Sequence, residues 1–276
     1  MIRIGKNIWY LICLLVMCGC GDFLDETSQN EMRPSSADDL QQLLMGEVYV
    51  AGHSENVFHM YLDMMTDDVT CVYSKDQMVQ QYYKRYLPVY AWQSDMFEQL
   101  ESGGVQGADT YEHYYRAIKG CNVVLDMLDK VTGTEAQKAN VKGQSLAMRG
   151  YFYFMLVNLF AKPYNAEGID VEKAPGVPLI TSSEVSDDYP KRASIAKVYS
   201  QIESDLLEAL PLLEQFGVGN SKFKASDVFC YNLLSRLYLY MEKWDEAEKY
   251  ASLGLKKKSS LFDLANAPWQ TWGMIY

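Results

Sequence analysis

The chain has 276 residues, 49% of them hydrophobic, with 36 acidic against 25 basic side chains and a formal net charge of −11. That much apolar material can enclose a large core, in one big domain or two small ones. So acidic a chain argues against nucleic acid and anionic lipid as partners, since both would repel it, and fits neutral or cationic ligands better.

Arg3 and Lys6 precede an apolar run from Ile8 to Met17, followed by Cys18-Gly19-Cys20. Ten apolar residues are too few to cross a bilayer, so residues 1–19 are predicted to be a cleaved secretory signal. The cysteine after Gly19 resembles a bacterial lipobox, with Cys20 as the lipidated first mature residue. Met17 stands where Leu is usual and Cys18 is an unusual neighbour; an ordinary signal with an incidental cysteine is the alternative. The several acyl chains of such a lipoprotein anchor firmly where one alone would not. Cleavage removes Arg3 and Lys6 and no acid, which takes the net charge from −11 to −13. Cys71, Cys121 and Cys230 remain, an odd and widely spaced set that is neither a disulfide framework nor a zinc site. At least one is expected to be a free, buried thiol.

Residues 20–35 are polar and mixed, a tether. Ser36 with Asp39 begins a short helix to about Met45, which Gly46 should end. Val57 to Met65 is apolar and helical in character, followed by the acidic turn Thr66-Asp67-Asp68. Residues 75–87 form another helix, with Pro88 expected to stop it. A flexible Gly- and Ser-containing loop around 101–108 follows.

Tyr111 to Lys130 is an amphipathic helix with Tyr114, Ala117, Ile118, Cys121, Val124, Leu125 and Leu128 on one face. The link Val131-Thr132-Gly133 is so short that the next helix must lie antiparallel beside it. That next helix, Thr134 to Phe160, organises the chain. Thr134 and Gln137 make a capping box, Val141, Leu146, Arg149, Tyr153, Leu156 and Phe160 recur at helical steps, and Lys162-Pro163 ends the run. It is apolar on most sides and needs several neighbours; Gly150 in its middle lets one approach closely.

Residues 162–193 are a long irregular segment with four prolines and an extended Val177-Pro178-Leu179-Ile180. Ser194 caps a helix to about Leu213, buried along Val198, Ile202, Leu206, Ala209 and Leu213, with Pro211 expected to bend it or end it early. Lys224 to Lys257 reads as a helical hairpin with Trp244 at the turn and small residues Ser235, Ala247, Ala251 and Gly254 between its arms. This resembles a tetratricopeptide repeat. One repeat cannot bury its own face, so the upstream helices must stack on it.

Several segments together resemble the SusD/RagB family of outer-membrane nutrient-binding lipoproteins. They are the lipobox with its trailing CGDFLD, Trp92 followed by YEHYYRAIKGCNVVL, RGYFYFMLVNLFAKPY leading to PGVPLIT, PKRASIAKVYSQIESDLLEALPLL, and ASDVFCYNLLSRLYLYMEKWDEAEKYA. Their order and spacing cover almost the whole mature chain. The resemblance implies an all-α fold of tetratricopeptide-like helical hairpins with long irregular loops, spanning residues 36–276. It also implies a lipid-anchored protein on the outside of the outer membrane, capping a SusC-like TonB-dependent transporter and holding glycans for import. Family members usually continue further, and an end carrying Trp269, Trp272 and Tyr276 reads as cut.

Sugar binders set flat aromatic faces against the C–H faces of sugar rings and satisfy hydroxyls with a few amides or carboxylates. Tyr73, Tyr90 and Trp92, in the less regular region near Gln93 and Asp95, are the candidate ligand contacts. The alternative is that Trp92 is a core anchor for the helix starting at Tyr111. No catalytic residue is assigned: Asp63, Asp67 and Asp68 read as a solvated turn rather than a glycosidase pair. His53, His59 and His113 lack ligand spacing, so no metal is expected, and no cofactor motif is present. A second functional class stays open, a helical-repeat lipoprotein scaffold for a protein or peptide partner.

Overall fold

The computed structural model describes residues 34–49, 60–67, 70, 75–105, 110–185, 189–217 and 223–260. The signal, Cys20, most of the tether, Tyr73, Cys71, His53, His59, Asp68 and the aromatic end at 269–276 lie outside the described residues. The fold is all-α, as expected. Its helices are α1 (Ala37–Leu43), α2 (Met60–Met64), α3 (Gln77–Tyr90), α4 (Met96–Ser102), α5 (Thr110–Met127), α6 (Glu135–Phe160), α7 (Ile195–Phe216), α8 (Asp227–Tyr240) and α9 (Trp244–Lys257). A π-turn, Leu44–Val48, extends α1, and a 3-10 turn, Leu128–Lys130, extends α5. None of the described helices is long and apolar enough to cross a membrane.

α6 is the centre. Its capping box forms, with Thr134 Oγ1 accepting from Gln137 N–H and the Gln137 side chain accepting from Thr134 N–H at 3.0 Å. Fifteen of its 26 residues are buried, which only a helix with neighbours on several sides can achieve. α5, α7, α1 and α8 supply them. Gly150 sits against α7, where an added Cβ would stand 3.3 Å from Leu206 Cγ. The tighter approach is one not anticipated, at Gly143, 2.9 Å from Leu213 Cγ. The predicted stripes of α5 and α7 are buried, except that Leu125 is half-buried. α8 and α9 form the expected hairpin: Ser235 Oγ donates to Ala247 O across it at 2.9 Å, and Gly254 lets Tyr231 and Asn232 come close.

Three helix ends differ from expectation. Gly46 does not end the first helix; the chain continues through the π-turn because Leu44, Val48 and Tyr49 are apolar anchors in the core. Pro88 lies inside α3 and Pro211 inside α7. Each proline forfeits one backbone bond, yet neither ends its helix there: buried Val89 beside Pro88, and Leu210 and Leu213 around Pro211, offset the loss. The last two residues of α4 fall inside the span expected to be loop, and the irregular segment carries a small antiparallel ribbon, β1 (Pro175–Pro178) with β2 (Arg192–Ser194).

Helices α2 to α4 bury Tyr61, Val89 and Leu100 in a small cluster of their own, separate from the main core. Tyr61 hydroxyl hydrogen-bonds Thr110 Oγ1 at 2.9 Å, tying this lobe to the start of α5.

Candidate ligand-binding site

α3 ends at Tyr90, with Ala91 as C-cap, and Trp92 then takes the left-handed conformation with φ 51°. Trp92 N–H donates to Val89 O at 3.0 Å and Gln93 N–H to Pro88 O at 2.9 Å, the two bonds of a Schellman motif. Glycine usually fills this position because a Cβ there costs about 1–2 kcal/mol. The end of α4 follows that rule, with Gly104 at φ 85° and Val105 N–H donating to Leu100 O at 2.9 Å. At the end of α3 the chain places an indole in the strained position instead, 66% exposed. Trp92 is therefore not a core anchor for α5; that alternative is overturned.

Polar side chains are tied to one another just after Trp92 in sequence. The Gln99 amide, one turn into α4, donates to Gln93 Oε1 at 2.5 Å and to Asp95 Oδ1 at 2.9 Å. An exposed flat ring can stack on a sugar ring, and amide and carboxylate groups can exchange hydrogen bonds with its hydroxyls. Tyr90, half-buried, closes α3 rather than lying in irregular chain, and Tyr73 lies outside the described residues. Gln99 was missed because seven residues are too few for α4 to show a period; the Asp95–Gln99 i, i+4 pair was the available signal.

A second polar group of residues is buried and differs in kind. Arg149 on α6 forks onto Asp205 of α7, Nε at 2.8 Å and Nη2 at 2.7 Å, and its Nη1 donates to Asn122 Oδ1 at 2.9 Å. Burial opposes the Arg149 charge, and the hydrogen bonds and charge of Asp205 more than offset it, so the pKa is raised. Asn122 Nδ2 donates to Ile180 O at 2.8 Å, while Tyr153 hydroxyl accepts from Ile180 N–H and donates to Ile180 O. On the outer edge, Asp126 accepts from the backbone N–H and hydroxyl of Ser183, each at 2.7 Å. These bonds fasten the irregular segment across α5 and α6, and every buried side-chain polar atom among the described residues has a partner. The cluster is a structural tie.

Asp63 lies exposed on α2 and Asp67 exposed after it; His113 is half-buried on α5. Among the described residues no His, Cys, Asp or Glu group could hold a metal ion. Cys121 and Cys230 are free and buried, and burial raises both thiol pKa values, Cys230 to about 12.

A SusD-like family model, described as "Starch-binding associating with outer membrane", matches residues 22–239. Among solved structures, the chain is similar to a SusD-like carbohydrate binding protein from Bacteroides vulgatus ATCC 8482, at 24% identity and TM-score 0.63, covering 84% of this chain and 47% of that one. It is also similar to a SusD superfamily protein from Bacteroides thetaiotaomicron VPI-5482, at 24% identity and TM-score 0.64, covering 83% and 48%. A third, from Bacteroides fragilis, aligns at 23% identity and TM-score 0.59 over 79% and 49%. These likenesses are of fold, and the chain spans about half the length of the solved relatives it matches. No curated protein matches it.

Proposed function

This chain belongs to the SusD/RagB family, and on that premise we propose that it is a surface glycan-binding lipoprotein working with a SusC-like TonB-dependent transporter in polysaccharide uptake. It binds its glycan without altering it. A lipid on Cys20 anchors it to the outer membrane, residues 20–35 are the tether, and residues 36–276 are the N-terminal part of the family's helical fold. Trp92 is the ligand platform, with Tyr90 and Tyr73 as neighbouring contacts.

The observation that carries this reading is the Trp92 turn, where a large apolar ring is held outward at a backbone position that favours glycine. Core packing gives no reason for it. A ligand does.

The test is retention of the detergent-solubilised chain in native gels cast with neutral polysaccharides. Trp92→Ala should weaken retention at least tenfold, about 1.4 kcal/mol, with an unchanged melting temperature. Normal retention by a folded Trp92→Ala chain removes the platform. Crosslinking in cell envelopes should capture a TonB-dependent barrel, and mass spectrometry should find an acylated Cys20; an intact leader or an unmodified thiol there rejects the anchor.

A further inference from the structure

The turn between α8 and α9 repeats the device at the end of α3. α8 ends on Tyr240 as α3 ends on Tyr90, and the C-caps Met241 (φ −87°, ψ 0°) and Ala91 (φ −89°, ψ 4°) share one conformation. Glu242 then takes φ 59°, the only described non-glycine besides Trp92 at positive φ. The same pair of bonds closes the motif, Glu242 N–H to Leu239 O at 3.1 Å and Lys243 N–H to Tyr238 O at 2.9 Å. In the first turn the exposed tryptophan holds the positive-φ position itself; in the second it opens α9 two residues later, Trp244 being 60% exposed and Tyr240 44%. In both a carboxylate is held by a side-chain amide: Asp95 by Gln99 in the first, Glu242 by Asn165 Nδ2 at 2.9 Å in the second.

We propose that Tyr240, Trp244, Glu242 and Asn165 form a second glycan-binding subsite, taking an uncharged stretch of the same polysaccharide chain. The inference rests on the reading of the Trp92 turn as a sugar platform. Phe154 fixes the Tyr240 ring edge-to-face at 5.2 Å between centroids, so the ring is presented rather than free to collapse. Charge argues for a neutral ligand. Lys243 Nζ sits over the Tyr238 ring at 5.5 Å and one Glu242 oxygen is bonded by Asn165, while exposed Asp245 and Glu246 beside Trp244 in sequence would repel an anionic sugar. Glu242 Oε2 and Asn165 Oδ1 have no protein partner among the described residues and can accept from sugar hydroxyls. Two platforms on one chain raise retention on a polymer that reaches both, through effective concentration.

The test compares the full detergent-solubilised chain with Trp92→Ala, Trp244→Ala, Trp244→Tyr and the double alanine variant. Each is run in native gels containing amylopectin, laminarin, xylan or galactomannan, beside a thermal melt. On a polymer that retards the parent, Trp244→Ala should weaken retention at least threefold without lowering the melting temperature, Trp244→Tyr should restore it, and the double variant should be weaker than either single one. Undiminished retention of Trp244→Ala where Trp92→Ala is lost overturns the second subsite and leaves the first. The reverse result removes the Trp92 platform and keeps the second. A parent that no polymer retards overturns both, as does a Trp244→Ala loss that tracks a lowered melting temperature and is not restored by tyrosine for the second alone.

Discussion

Trp92 and Arg149 occupy positions that cost free energy, and each cost predicts a different outcome on mutation. Trp92→Gly removes a Cβ from the left-handed region, so stability to urea should rise by about 1 kcal/mol while glycan retention falls. A Trp92→Gly chain that loses stability would mean that the ring packs on the protein instead. Arg149 shows the opposite balance. Arg149→Met strands Asp205, 2% exposed, with only the Gln201 amide among the described residues still donating to it, and takes from Asn122 Oδ1 its arginine donor. Losing one partner of a buried pair costs about 3–5 kcal/mol, whereas the double variant Arg149→Met/Asp205→Leu should regain most of it. Urea unfolding of the three variants decides; equal losses in single and double variants would show that the irregular segment's other bonds depend on the arginine.

Between elements, contact distance sets the sign of a substitution. Gly143→Ala pushes a Cβ to 2.9 Å from Leu213 Cγ and 3.1 Å from Leu212 Cβ at the α6–α7 contact, and should destabilise by about 1–3 kcal/mol. Gly46→Ala meets nothing within 4 Å and should stabilise by about 0.4–1 kcal/mol. Melting temperatures of the pair should move in opposite directions. Glu214 of α7 accepts from Tyr231 hydroxyl of α8 at 2.6 Å and pairs with Lys257 of α9 at 3.1 Å. The Tyr231 bond first and Lys257 second hold its carboxyl below the ordinary glutamate range. The folded pKa is below the unfolded one, so this stabilisation is complete above the unfolded value, about 4.3, and disappears as pH falls through the lower folded value. Glu214→Gln should therefore flatten the acid arm of the stability profile, and an unchanged slope there would reject the assignment.

The Thr134 capping box, the stripes of α5 to α7 and the small-residue hairpin are local patterns, and a local pattern is visible in one sequence. Pro88, Pro211 and Gly46 misled because burial of their neighbours, supplied by distant chain, outweighs a single backbone penalty. The Arg149–Asp205 pair spans 56 positions and leaves no spacing to read. The exposure of Trp92 is not encoded by its neighbours in sequence.

At the scale of the molecule, the separate cluster of α2 to α4 makes the stability of the Trp92 turn distinct from that of the bundle. Tyr61, Val89 and Leu100 are a small core beside the one built around α6, so the lobe should open without unfolding the rest. In native-state hydrogen exchange, slow amides of α3 and α4 should share an opening free energy below that of α6 and α7; a single common value would show that the two cores unfold together. Ligand then separates the two proposed subsites. A sugar held at Trp92 is released when the lobe opens, so a concentration a hundredfold above Kd should raise the lobe's opening free energy by about 2.7 kcal/mol. A sugar held only at Trp244 stays bound to the intact bundle while the lobe opens, raising protection at α8 and α9 and leaving α3 and α4 unchanged. The amides of one short lobe thus report which turn carries the glycan.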